Sequence, residues 1–267
     1  MKTNFFLLVK EVLRASNPND KFYLFEQLNK QFITKKLDFI PTNDIEIFDA
    51  PSYSQFCIIV DSKQVPQRKN LALDENRATL LHAIAHIEYS AIDLALDACY
   101  RFQTLPYQFY QDWMEVAQDE IRHFTMINEL LESYGVKYGE IVVHQGLFDA
   151  SMKTLELIPR MALIPRYMEA NGLDANAMLI ERLKKFKNTQ NIIELLQIIL
   201  DEEIDHVKKG DRWYKYGCNQ KNNFSCDYFK IVNSVYPNSF HTNKHINIQA
   251  RKKAGFSDKE LEILTKY

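Results

Sequence analysis

Four glutamates and two histidines recur at positions whose neighbours are apolar. Glu88, Glu120, Glu169 and Glu203 each fall in a stripe of hydrophobic residues at helical spacing, and His123 and His206 follow two of them by three residues. In an α-helix each residue turns about 100°, so positions three and four apart share a face. Leu81, Ile84, Ala85, Glu88, Ala91, Ile92 and Ala95 form one such stripe, in which Glu88 is the single charge. Trp113, Val116, Ala117, Glu120, Phe124 and Ile127 form a second, with His123 one turn after Glu120. Ile158, Ala162, Pro165 and Glu169 form a third. Ile192, Leu196, Ile199, Glu203, Val207 and Gly210 form a fourth, with His206 one turn after Glu203. Burying an isolated ionised carboxylate costs on the order of tens of kcal/mol in an idealised apolar medium. Two divalent cations would offset four such charges, and each imidazole would add one neutral nitrogen. Carboxylate and imidazole ligands together suit iron or manganese, or a mixed pair.

A single Glu-x-x-His is weak, because it arises often by chance. Two copies on amphipathic segments carry more weight, and so does the spacing: 32 residues separate Glu88 from Glu120 and 34 separate Glu169 from Glu203. The order Glu, Glu-x-x-His, Glu, Glu-x-x-His is that of ferritin-like di-metal carboxylate proteins.

The elements that must position these groups follow from the same periodicity. Long helices are predicted over about 76–102, 108–135, 150–171 and 188–217, with a crossover over about 136–149. The fold class expected is all-α: a four-helix bundle over 76–217, an N-terminal helical and irregular arm over 1–75 and a C-terminal extension over 218–267. Within the arm, residues 3–36 read as one or two helices and Ile58-Ile59-Val60 as a short strand. Pro165 is expected to kink or bulge the third helix four residues before Glu169. Ser257 is a candidate N-cap for a last helix near 257–265.

The 267 residues, 46% of them hydrophobic, can bury a sizeable core, and a net charge of -2 gives no general affinity for nucleic acid or acidic membranes. Cys57, Cys99, Cys218 and Cys226 show no CxxC pair or zinc spacing and are expected to be free thiols in a cytoplasmic protein. No apolar run is long enough for a membrane span or a signal-peptide core.

The segments LLHAIAHIEYSAIDLALDACYRF, DWMEVAQDEIRHF, RMALIPRYMEANGLD and IILDEEIDHVKKGDRWYKYGC resemble a bacterial ferritin-like family of unknown function. Weaker similarity covers the YGEIVVHQGLF loop and the tail segment ARKKAGF. The resemblance implies a ferritin-like bundle with metal ligands at Glu88, Glu120, His123, Glu169, Glu203 and His206. It is more distantly similar to di-iron hydroxylases acting on a modified adenosine in tRNA. The family pattern has a leucine and a glutamine after Glu88, where this chain has Tyr89 and Ser90.

Residues weighed for support around the ligands are His82, His86, Asp119, His144, Arg166, Asp201 and Asp205. Carboxylates near a ligand imidazole can orient it through its other nitrogen. The reading expected is an O2-dependent oxidoreductase of hydroxylase or oxygenase type, acting on a small organic substrate. It would need an external electron donor, since no flavin, nicotinamide or iron–sulfur fingerprint is present. The alternatives are a ferroxidase or iron- and oxidant-handling protein, a tRNA-modifying hydroxylase using lysines such as Lys184, Lys185, Lys187, Lys208 and Lys209, and a non-catalytic metal-stabilised module. A homo-oligomer is compatible with each.

Overall fold

A computed structural model describes residues 2–220, 226–240 and 245–266. The described residues are mostly helical, and the chain forms two compact units, Met1–Phe148 and Asp149–Tyr267.

The first unit begins with β1 (Thr3–Asn4) and α1 (Phe5–Arg14), then α2 (Pro18–Ile33). Asn4 starts this arm in two ways. Its side-chain oxygen accepts from the Leu7 N–H and caps α1, while its amide nitrogen donates to Asp38 and to the Ile40 carbonyl. Those bonds sit beside the parallel pairing of β1 with β2 (Leu37–Asp38). Asn17 and Pro18 open α2, the asparagine accepting from the Asp20 N–H and the proline occupying the first helical position. The fully buried Lys21 donates to the Val12 carbonyl at the end of α1 and to Asp93 (2.7 Å). An ammonium at a helix C-terminus meets the negative end of the helix dipole, and a carboxylate completes its neutralisation.

After β2 the arm is irregular, with single 3-10 turns at Ser52–Gln55 and Ser62–Gln64. The strand expected at 58–60 is a one-residue bridge. Ile59 pairs with Val143, the Val60 N–H donating to the Val143 carbonyl and the Val143 N–H to the Ile58 carbonyl. The long hairpin of the unit follows: α3 (Asp74–Arg101) and α4 (Tyr107–Ser133). Asp74 and Glu75 in the first turn of α3 and Arg101 in its last match the helix dipole.

Helix α5 (Gly146–Met152) spans the boundary between units. The second unit continues with α6 (Leu157–Leu163), a π-helical turn (Ile164–Glu169), α7 (Ala170–Leu183) and α8 (Gln190–Gln220). The single helix expected over 150–171 is therefore broken, and Pro165 sits at the break. Proline lacks the N–H that an α-helix needs, and the π turn absorbs one extra residue. Gly210 of α8 faces this turn so closely that an added Cβ would collide with the Pro165 ring. The tail carries α9 (Tyr228–Val235), α10 (Ile248–Lys253) and α11 (Asp258–Lys266). Ser257 caps α11 as expected. Its hydroxyl accepts from the Glu260 N–H, and Glu260 accepts from the Ser257 N–H (2.9 Å).

One expectation about the thiols is corrected. Cys218 and Cys226 form a disulfide with Cα atoms 5.9 Å apart, whereas Cys57 and Cys99 are free and buried. The pair joins the last turn of α8 to the residue two before α9, a proximity that no sequence motif reports. Among the described residues no helix is long and apolar enough to cross a membrane.

Gly210→Ala is expected to lower stability by about 1–3 kcal/mol in chemical unfolding, because it overpacks the Pro165 contact. Gly172→Ala, where an added Cβ meets nothing within 4 Å, should raise it by about 0.5–1 kcal/mol. Mass spectrometry after alkylation should find Cys218 and Cys226 protected until a reductant is added. Cys57 and Cys99 should react only on unfolding.

Candidate metal centre

Helices α3 and α4 lie side by side and bring Glu88, Glu120 and His123 together. Each offers a ligand atom within 4.8 Å of the others, and all three side chains are buried. His123 Nδ1 is 3.2 Å from Glu88 Oε2 and 3.6 Å from Glu120 Oε2. The apolar stripes explain the placement, since Leu81, Ala85, Ile92, Val116, Ala117, Phe124 and Ile127 are buried on the same faces.

The electrostatics of this trio couple two carboxylates and an imidazole withdrawn from water. Burial raises the Glu88 carboxyl to about 8, with the Glu120 charge adding to the shift and His123 opposing it. Burial alone would lower His123, yet its bonds to Glu120 and Glu88 lift it to about 11. Protons on Glu88 and His123 thus lower the negative charge of the site. A cation can replace those protons, taking the carboxylate oxygens and the imidazole nitrogen turned toward them. The donor set therefore fits a metal ion.

In the second unit, Glu203 and His206 of α8 are both buried, with His206 Nδ1 3.2 Å from Glu203 Oε1. This repeats the carboxylate–imidazole geometry of Glu120 and His123. Glu169 ends the π turn, half-buried.

The residues weighed for support around the ligands each have identifiable contacts. His82 and His86 both hold the loop that follows α4. The Gly139 and Ile141 N–H groups donate to His82 Nε2 at 2.9 and 3.4 Å. The His144 carbonyl accepts from His86 Nε2 (2.8 Å), so His86 Nδ1 accepts from the Tyr138 hydroxyl (2.9 Å). Those bonds occupy both nitrogens of His86 and the Nε2 of His82. Burial pushes each histidine down to about 4, so both are neutral at pH 7. His144 accepts from the Gly146 N–H, a turn contact. Asp119 pairs with Arg122, Asp201 accepts from Gln197, and Asp205 pairs with Lys209. Arg166 reaches Asp211 and Glu260. Sequence reasoning missed Tyr138, Asp211 and Glu260, whose partners lie 45 to 94 residues away in the chain.

Comparison with known proteins places the chain in a family. Residues 14–262 match the family described as Protein of unknown function (DUF455), and the chain belongs to it. A protein of Haemophilus influenzae (strain ATCC 51907 / DSM 11121 / KW20 / Rd), described as uncharacterized, is 34% identical over 281 positions, covering 97% of this chain and 93% of the relative. No solved structure matches the chain.

The neutral His82 gives a pH dependence of known sign. Its folded value of about 4 lies below the ordinary 6.5, the nearby Glu140 opposing burial only weakly. The unfolded chain binds more protons between these limits, so the stability held above pH 6.5 is lost as the pH falls toward 4. Denaturant unfolding across that window should show this slope. His82→Gln should make it shallower, and an unchanged slope would refute the assignment.

Proposed function

We propose that this protein is a di-metal carboxylate protein and an O2-dependent oxidoreductase of hydroxylase or oxygenase type, acting on an organic substrate. In this reading the α3–α4 hairpin and the hairpin of the second unit form a ferritin-like four-helix bundle. Glu88, Glu120, His123 and Glu203 would hold one ion, and Glu169 and His206 would complete the set for a second. Iron is the first choice of metal and manganese the second, since carboxylates and imidazoles suit both.

The observation that carries this reading is the buried trio of Glu88, Glu120 and His123, whose two carboxylates are adjacent in a site that raises Glu88 to about 8. A purely structural protein gains nothing from such a cluster, because replacing buried charge with apolar side chains is often stabilising. The repeat of buried Glu and His on α8 supports the same conclusion from the other half of the chain.

The chain's own residues would supply three things. The four carboxylates bring the negative charge that balances two divalent cations. The two histidines bind through the Nδ1 atoms that already face carboxylates. The apolar residues around Glu88 and Glu120 exclude water. Bound redox metals would supply the electron transfer to O2 that no side chain can perform. The electrons would come from a separate donor.

Purified protein loaded with Fe(II) should contain about two metal ions per chain by elemental analysis, and Glu120→Ala or Glu203→Ala should abolish binding. Wild-type protein that takes up no transition metal after aerobic and anaerobic loading would overturn the site. O2 uptake limited to the bound metal supports an oxygenase. Repeated Fe(II) turnover with release of ferric product would instead identify a ferroxidase.

A further inference from the structure

Of the segments that carry the glutamates, the one ending in Glu169 is least defined by its own helix. Pro165 removes a backbone donor, and the π turn Ile164–Glu169 follows from that loss. The turn is also held by residues from α8 and the C-terminal extension.

Arg166 is the centre of that hold. It is 1% exposed, with its Nε donating to Asp211 of α8 (2.7 Å) and its Nη2 to Glu260 of α11 (2.8 Å). Its guanidinium carbon lies 4.5 Å from the Tyr228 ring centre, 4.6 Å from Phe256 and 5.1 Å from Tyr214. The backbone is gripped as well, because the Tyr228 hydroxyl donates to the Arg166 carbonyl (2.9 Å). The next residue, Tyr167, donates its hydroxyl to the Ser239 carbonyl (2.6 Å). Gly255 makes the approach possible. Its φ of +103° suits glycine, and an added Cβ would collide with the Asp211 carboxylate. Phe256, immediately after it, then reaches the guanidinium. Lys215 links the same parts, donating to Asp211 and to the Gly255 carbonyl.

Two carboxylates and three aromatic rings around one buried arginine far exceed what a kink needs. A π turn widens the helix and changes the direction of the residues at its end. Residues from 226–240 and 245–266 fix the turn two and three positions before Glu169. We propose that Arg166 is a positioning residue for Glu169, and that the C-terminal extension is a clamp that fixes the π turn and so sets the direction of this metal ligand. The inference rests on the di-metal reading. It adds that the second ion depends on residues of the C-terminal extension, from Tyr228 to Glu260.

The test uses the full chain with Arg166→Lys and Glu260→Gln. The second is the milder change, since Glu260 is partly exposed. Arg160→Lys serves as control, because Arg160 is equally buried in the same unit and donates to the Thr154 and Ser151 carbonyls. Hydrogen exchange of residues 164–170 is read without metal, and anaerobic Fe(II) titration gives stoichiometry and affinity. Both test variants should exchange faster in that segment. They should bind one of the two ions about tenfold more weakly, with the other unchanged. Arg160→Lys should lower the unfolding midpoint but leave both ions in place. Wild-type exchange and two wild-type affinities in Arg166→Lys and Glu260→Gln would overturn the clamp while leaving the di-metal reading intact. A wild-type chain that takes up no Fe(II) would overturn both.

Discussion

A carboxylate withdrawn from water must be neutralised, and much of this structure can be read as the ways in which that is done. Asp97 is paired with Arg101, Asp93 with the buried Lys21, and Asp174 with Arg251. In each case a fixed cation of the chain offsets the charge. Glu88 departs from that pattern. The groups acting on it are burial, the neighbouring Glu120 and the ionisable His123. Where charge is structural this chain uses arginine and lysine. At the trio it uses groups that can also ligate a metal, and that contrast separates a site from a scaffold.

Much of the placement was legible in the chain. The stripes around Glu88, Glu120 and Glu203 marked helix faces that are indeed buried, and the bounds of α3, α4 and α8 lie within a few residues of those expected. Those features follow from local periodicity, which a sequence carries openly. The third segment was less legible. Pro165 signalled a disturbance, but not that a π turn would take up an extra residue and that the helix would resume as far as Leu183. The roles of His82, His86 and Arg166 were hidden for another reason. Their partners, Gly139, Tyr138, His144, Asp211 and Glu260, come from distant parts of the chain, and no spacing rule reports a contact made by tertiary folding. The Cys218–Cys226 bond belongs with these.

The two units stabilise their irregular segments by different chemistry. In the first, neutral histidines on α3 accept and donate to the backbone of the loop after α4. Tyr138 of that loop packs with Tyr89 and Phe124, with ring centres 5.0 to 5.6 Å apart. In the second, the irregular turn is gripped by an ion-pair network with aromatic walls. A loop recognised by imidazole offers many backbone groups of similar kind, so one ring can serve two N–H groups. A turn whose final residue must point in one direction calls for charge, which is more demanding of geometry.

Glu260 connects these ideas in one side chain. One of its oxygens receives Arg166, while the other closes the start of its own helix through Ser257. A nine-residue helix is too short to persist alone, because its first turn costs more than it returns. The carboxylate that nucleates α11 is the same one that meets the arginine, so each event lowers the cost of the other. The end of the chain should therefore assemble as an all-or-none unit, with no half-formed helix waiting for its ion pair.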